Sequence, residues 1–430
     1  MSAPLREHSY WSDTVAWPTI QLRDWPAQVD VAVVGGGYTG LSAARELAKR
    51  GATVAVFEAH TFGWGGSSRN GGMVLTGLKL GAGKLVKKYG LETARKLFCT
   101  SLDAIAYAEN LIRDEAIHCD FARCGHVELA WKPEHFAAYQ HEAEMFAHDF
   151  GHPVKIIKKV HMREEVGSDV YHGALLDEAS AGVNPAKYAA GLTAAAQRAG
   201  AYLFENTCVT HLKKSVDGHV VETARGALRA REVIVATNGY TSALTPYLHK
   251  RIIPIGSYII ATEPLSDALA REVSPTRRMM FDSKNFLYYW RLSADNRMVF
   301  GGRAGFMPET PMTVRESAAI LQRGMLEIYP QLKGIQIDYA WGGTLGFSFD
   351  LLPHAGRTDD GAYYAMGCGG HGVALLTYLG ACLAKQISGE PVDTPLLTMP
   401  FPTAPLGLYN GNPWFLPFAG AYYKILDVIS

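Results

Sequence analysis

The chain has 430 residues, 48% of them hydrophobic, and its 41 lysines and arginines balance its 41 aspartates and glutamates. That length exceeds one average domain and supplies ample core, and the balanced charge argues against a nucleic acid or other polyanionic partner. The N-terminal stretch MSAPLREHSYWSDTVAW has no apolar signal region, no transmembrane-length apolar run follows, and the six cysteines form no CxxC pair, so a cytoplasmic protein with reduced thiols is expected.

The first patterned stretch, VAVVGGGYTGLSAARELAKRGATVAVFEA from Val31 to Ala59, reads as strand, tight turn, helix and parallel strand. Gly35 permits the sharp exit from the strand, Gly37 lets the backbone approach a pyrophosphate, and Gly40 lets the helix pack closely. The helix N-terminus, at Tyr38 and Thr39, then faces the phosphate charge. Glu58, followed by Ala59, can accept hydrogen bonds from a ribose. This is a dinucleotide-type site, and NAD, FAD and S-adenosylmethionine all remain open at this point.

The next stretch, TFGWGGSSRNGGM, is rich in glycine and small polar residues. Its backbone N–H groups around Gly66, the hydroxyls of Ser67 and Ser68, and the charge of Arg69 can hold a pyrophosphate from the other side, with Asn70, Gly71 and Gly72 completing the loop. An NAD enzyme has no need of a second clamp, whereas one that buries all of FAD does. Farther on, HCDFARCGH gathers His118, Cys119, Cys124 and His126, but no second ligand pair follows, so no metal is expected and GHVELAW reads as a strand.

EVIVATNGYTSAL reads as a buried strand ending in a turn at Thr237, Asn238 and Gly239. Between Pro254 and Gly305, IGSYIIATEPL, NFLYYWRLS and RMVFGGR read as antiparallel strands. They are expected to form a substrate pocket lined by Tyr258, Tyr288, Tyr289, Trp290 and Arg291, with Trp341 as a further wall. Arg291 stands out, because an arginine among apolar strand residues needs an anionic partner or a solvated face. Arg303 is the neighbouring alternative. Lastly, YYAMGCGGHGVALLTYLGACLAKQISG reads as strand, glycine turn and long apolar helix, with Gly369, Gly370, His371 and Gly372 where the helix begins. A helix N-terminus there would face developing negative charge.

The motifs GGGYTG, GWGGSSRNGG, VIVATNGYT, WGGTLGFSFDLLPHAGR and GCGGHGV, in this order across nearly the whole chain, resemble the D-amino-acid oxidase and glycine oxidase superfamily of flavoproteins. RNGG followed by YYWRL, and the ending LYNGNPWFLPFAGAYYKILD, look most like its γ-glutamylputrescine oxidase branch. The resemblance implies an α/β fold with a Rossmann-like FAD domain, interleaved with an α+β substrate domain that contains an antiparallel sheet. The FAD domain is expected to combine 1–90, 150–240 and 330–400, the substrate domain 90–150 and 240–330, with 401–430 as a tail packing on the surface. Position by position, it carries Val209 to the adenine, and Gly370, His371, Gly372 and Val373 to the pyrimidine edge of the flavin ring. The activity implied is oxidation of a carbon–nitrogen bond of a small amine, γ-glutamylputrescine-like or an N-substituted amino acid, by hydride transfer to flavin N5 and hydrolysis of the imine. His371, Arg291, Tyr289 and Tyr258 are the expected catalytic residues.

Relatives that attach FAD covalently do so through a cysteine where this chain has Gly343 and Thr344, so dissociable FAD is expected. The same relatives activate oxygen with a lysine on a strand that here reads NRMVFGGR, with Val299 and Phe300. Electrons could therefore go to oxygen or to another acceptor.

Overall fold

The computed structural model describes residues 4–302 and 310–429. Its strands gather mainly into two eight-stranded sheets. In the first, Gln28–Val34 runs parallel between Gly226–Val235 and Val54–Phe57, with Tyr202–Phe204 beyond one side and Tyr363–Met366 and His354–Arg357 beyond the other. The central strand is apolar at nearly every position because both of its faces are covered. Val31 and Val33 join the core beneath the helices, while Val29, Ala32 and Val34 pack with Val221 and Leu228 on the opposite side. The helix Tyr38–Lys49 can lie close on its strand because position 40 is glycine; a Cβ there would collide with the Gly35 carbonyl.

The second sheet runs, in spatial order, Ile337–Phe347, Ile253–Thr262, Met298–Gly302, Tyr288–Leu292, Met279–Asp282, His126–Leu129, Gly173–Asp177 and Lys155–Lys158. One face carries Tyr258, Ile260, Trp290, Leu292 and Phe300 into a core shared with the helix Pro311–Ile328. The other face looks toward the first sheet.

Lys155–Lys158, Gly173–Asp177 and Ile337–Phe347, all from segments expected in the FAD domain, pair in the second sheet. The tail is also tied in more firmly than a surface segment. Phe401, Tyr409 and Leu416 are buried, and the Asp427 carboxylate accepts the backbone N–H groups of Asn285 (2.7 Å) and Phe286 (2.9 Å). Among the described residues no helix is long and apolar enough to cross a membrane.

Candidate functional site

A cavity of about 580 Å³ opens where the strand ends Val34–Gly35, Phe57–Glu58 and Ala236–Thr237 of the first sheet meet the inner face of the second. Carboxyl ends of parallel strands are where α/β sheets place ligands, and the volume is that of a small-molecule or cofactor site.

One half of the cavity is built around Glu58. Its carboxylate accepts the N–H groups of Gly36 (2.8 Å) and His60 (3.0 Å), pinning the glycine turn to the end of the neighbouring strand. The Thr207 N–H donates to the Glu58 carbonyl (2.8 Å), which sets Cys208 and Val209 on the wall beside it. Gly35 has φ +107°, a left-handed conformation that a side chain resists, and a Cβ there would press on the Ala236 carbonyl. Gly37, Tyr38, Thr39 and Ala59 line this half; Gly40 lies behind it, at the helix–strand contact.

The second glycine loop faces the first. Ser67 Oγ accepts the Tyr38 N–H (3.1 Å), and a Cβ at Gly37 would lie 2.9 Å from that oxygen. Asn70 knots the loop: its amide donates to the Gly66 and Ser67 carbonyls and the Tyr38 hydroxyl, and its oxygen accepts the Gly72 N–H at 2.8 Å. Gly66, Ser67, Arg69, Asn70 and Gly71 line the cavity, whereas Ser68 turns inward to donate to the Gly63 carbonyl. Arg69 lies over the Trp64 ring at 4.5 Å.

A third wall is the turn 367–373. Asn238, with φ +43°, accepts the Gly367 N–H at 2.9 Å and so joins the Thr237–Asn238 turn to it. Gly370, His371, Gly372 and Val373 line the cavity where the helix Gly372–Ile387 begins. Burial, reinforced by the charges of Lys79 and His126, pushes the His371 imidazole down to about 3, and its Nδ1 is buried without a hydrogen-bond partner. Cys368 stands beside it, its thiol pushed up by burial.

On the second sheet, strand alternation sorts the expected pocket residues. Ser257, Ile259, Phe281 and Tyr289 reach the cavity. Tyr289 lies flat on its own sheet because Gly301 is opposite; a Cβ at Gly301 would fall within the ring, and the Tyr289 hydroxyl pairs with Ser257 Oγ at 3.2 Å. Tyr258, Tyr288 and Trp290 have the opposite parity and do not line the cavity. Tyr258 donates to Thr313 Oγ1 (3.1 Å) and Trp290 to the Tyr329 hydroxyl (2.9 Å). Arg291 shares the parity of Tyr289 but lies beyond the cavity, donating to the Gly72 and Val183 carbonyls at 2.9 and 3.0 Å; it holds backbone where substrate contact was expected. Trp341 is covered by Tyr10 and Trp11 and donates to the Arg69 carbonyl (2.8 Å), so it is no pocket wall. Val299 and Phe300 are buried away from the cavity, and Gly72 lies behind the lining. Arg303 lies outside the described residues.

The sequence reading missed Lys79, Phe281, Leu287 and Phe347, all of which line the far half. Parity measured from Tyr289 would have found Leu287; the others arrive from distant segments. Of the histidine–cysteine cluster, His126 pairs with Ser180 Oγ at 2.8 Å and stacks on the cavity residue Phe281.

The residues fit a flavin dinucleotide. Glycines clear the backbone on both sides, two helix N-termini open on one cavity, and the far wall holds an unpartnered buried imidazole nitrogen. Fold and cavity thus define an α/β oxidoreductase built around a dinucleotide cofactor. The chain belongs to the FAD dependent oxidoreductase (DAO) family, whose sequence model matches residues 30–386, and its cofactor is FAD. It is 34% identical to γ-glutamylputrescine oxidoreductase of Escherichia coli, over 93% of this chain and 92% of that one. It is 35% identical to a probable oxidoreductase, OrdL, of Haemophilus influenzae, over 84% and 83%. Glycine oxidase from Geobacillus kaustophilus shares the fold with a TM-score of 0.73 at 24% identity, covering 88% of this chain and 99% of that one.

Proposed function

We propose that the protein oxidises a carbon–nitrogen bond of a small amine, γ-glutamylputrescine-like or an N-substituted amino acid, in the cytoplasm. The observation that carries this reading is the far half of the cavity, where apolar Phe281, Leu287 and Phe347 surround Tyr289 and the uncharged His371 beside the N-terminus of Gly372–Ile387. The named substrate of the E. coli relative supports the amine class.

Bound FAD supplies the acceptor for the hydride removed from the carbon next to nitrogen. Glu58, Ser67, Arg69 and Asn70, with the first helix N-terminus, would hold its nucleotide and pyrophosphate, and residues 370–373 its ring. Apolar walls favour the neutral amine over the ammonium by desolvation, so a strong base is unnecessary. His371, neutral across the physiological range, offers a ring nitrogen to an N–H of the substrate, and the Tyr289–Ser257 pair offers a hydroxyl. The helix N-terminus at Gly372 favours negative charge at this wall.

FAD is held non-covalently in this reading: position 344 is threonine, and the raised Cys368 thiol is a poor nucleophile at neutral pH. An electron acceptor other than oxygen is the second reading, because the strand Met298–Gly302 turns Gly301 toward Tyr289 and offers no cation there. The test is an anaerobic screen of amines for bleaching of the flavin absorbance, followed by peroxide assay in air. Bleaching by none of a broad set of primary and secondary amines overturns the amine assignment; peroxide formation at the rate of amine turnover rules out the second reading.

A further inference from the structure

We infer that Asp427, in the C-terminal helix Leu416–Ile429, is a positioning residue that holds Leu287 in the cavity wall and so limits the breadth of the substrate admitted. This rests on the reading that the far half of the cavity receives the amine, and it names the segment that sets the width of that half.

The strands Met279–Asp282 and Tyr288–Leu292 are joined by the loop 283–287. The base of this loop is fixed from within the second sheet. The Ser283 N–H donates to the Leu129 carbonyl at 3.0 Å, Ser283 Oγ accepts the Trp131 N–H at 3.0 Å, and the Asp282 carboxylate accepts the Tyr288 N–H at 3.0 Å. The tip is held from the other end of the chain. One oxygen of Asp427 accepts the Asn285 N–H at 2.7 Å and the Asn285 side-chain amide at 2.9 Å, and the other accepts the Phe286 N–H at 2.9 Å. Two consecutive N–H groups shared between the two oxygens of one carboxylate fix the direction of the backbone as well as its place. The next residue is Leu287, which lines the cavity.

The tail that carries Asp427 is itself seated against the cavity wall. Tyr409 donates to the Ile252 carbonyl at 2.7 Å, and Tyr409, Phe415 and Leu416 share an apolar cluster with Phe286, Leu345 and Phe347. Leu345 and Phe347 line the cavity. From Leu416 the helix rises about 16 Å to Asp427. The tail therefore meets the far half twice, with apolar side chains at Leu345 and Phe347 and with a carboxylate at the loop that bears Leu287. A cavity of about 580 Å³ that takes a dinucleotide has little room to spare, so a shift of one leucine changes which substrates fit beside the cofactor. Loops that border binding sites open at low free-energy cost unless they are tied, and Asp427 supplies the tie at this tip.

The test uses the FAD-loaded full chain and two uncharged probes with the same hydroxymethyl end, benzyl alcohol and 1-naphthalenemethanol, titrated by flavin difference absorbance. Asp427→Ala is expected to shift the ratio of the two Kd values toward the broader probe by about threefold or more, the size of coupling found between residues of one network. Leu287→Ala should give a shift of the same direction, and the double variant no more than the larger of the two, whereas the effects of a general loosening would add. Asn285→Ala spares both backbone N–H bonds and should keep the wild-type ratio, and Asp427→Glu should restore part of it. Amide hydrogen exchange should quicken at Asn285 and Phe286 in Asp427→Ala while the strands on either side keep their protection. If Asp427→Ala loses flavin, Asp427→Asn, which keeps one acceptor oxygen, takes its place with the same readouts. An unchanged ratio, an additive double variant, or probes that perturb the flavin in neither protein overturns the inference. Because these titrations need no turnover, failure of the amine screen and failure of the Asp427 assignment are separate results.

Discussion

Arg291 donates to two backbone carbonyls, one of them in the loop that faces the cavity, and this gives its replacement a definite signature. Arg291→Met leaves the Val183 oxygen without that donor, an uncompensated acceptor costing about 1–3 kcal/mol if water cannot reach it, while the Gly72 oxygen keeps the Val183 N–H at 2.9 Å. The variant is expected to unfold at lower denaturant concentration, while the ratio of kcat/KM for carboxylate-bearing and uncharged amines stays at the wild-type value. A selective rise in KM for the carboxylate substrates would return Arg291 to substrate recognition. Glu58 makes the complementary case. Glu58→Ala strips the carboxylate acceptor from the Gly36 and His60 N–H groups and loosens the turn proposed to meet the nucleotide. Hydrogen bonds to charged groups are worth about 1.5–3 kcal/mol, so FAD affinity, measured by fluorescence titration of the apoprotein, should fall roughly tenfold or more.

At the scale of elements, the turn into Gly372–Ile387 and the strand His126–Leu129 each carry a prediction. Gly370 has φ +100° and no protein atom within 4 Å of where a Cβ would stand, so a side chain there enters the cavity and strains the backbone together. Gly370→Val should therefore weaken FAD binding and shift the spectrum of any flavin retained; an unaltered spectrum and turnover would remove this turn from the site. The strand bears Glu128, and its neighbour Met279–Asp282 bears Asp282. Burial raises both carboxyls to about 7 from ordinary values of 4.5 and 3.8, against the pull of Lys79 on one and Lys284 on the other. A folded-state value above the unfolded one means that the folded chain binds more protons. The stabilisation is complete below the unfolded values and is lost as pH rises through about 7. His126 and His371 act with the opposite sign: held near 4 and 3, they contribute stability above 6.5 that is lost as pH falls through those values. Melting temperature should thus decline from pH 6 to pH 8, and Glu128→Gln should flatten that decline; an identical slope in the variant would show that Glu128 does not titrate there.

For the whole molecule, the cavity lies between two sheets drawn from interleaved segments, so FAD bound there as proposed would bridge parts of the fold that the chain connects only distantly. A ligand bound only by the folded state at a hundredfold excess over Kd adds about 2.7 kcal/mol. Apoprotein should accordingly melt several degrees higher once FAD is supplied, with both sheets unfolding together; a melting temperature indifferent to FAD would separate the cavity from the cofactor. Acid precipitation of the holoprotein should leave all flavin in the supernatant, and colour in the pellet would point to a bond through Cys368 or Cys208, the cysteines on the cavity wall.

The glycine-turn half of the cavity was legible because its requirements are local. A left-handed glycine at 35, a close helix contact at Gly40 and an acid at the end of the next strand are properties of neighbouring residues, and side chains cannot substitute for the bare backbone there. The stretch YYWRL announced a strand but not its facing, because both sides of that strand are covered and alternate residues look alike in composition. Only the pairing of Tyr289 with Gly301 decides that Tyr289 meets the cavity while Tyr288 and Trp290 enter the core. The same holds for Arg291, whose acceptors lie 108 and 219 residues away, and for Trp341, hidden by the N-terminal segment. What the sequence by itself determined was the cofactor, through short-range backbone geometry. What only the tertiary structure decided was which side chains line the far half of the cavity, because Phe281, Tyr289 and His371 come together solely through the packing of one sheet against the helices of the other.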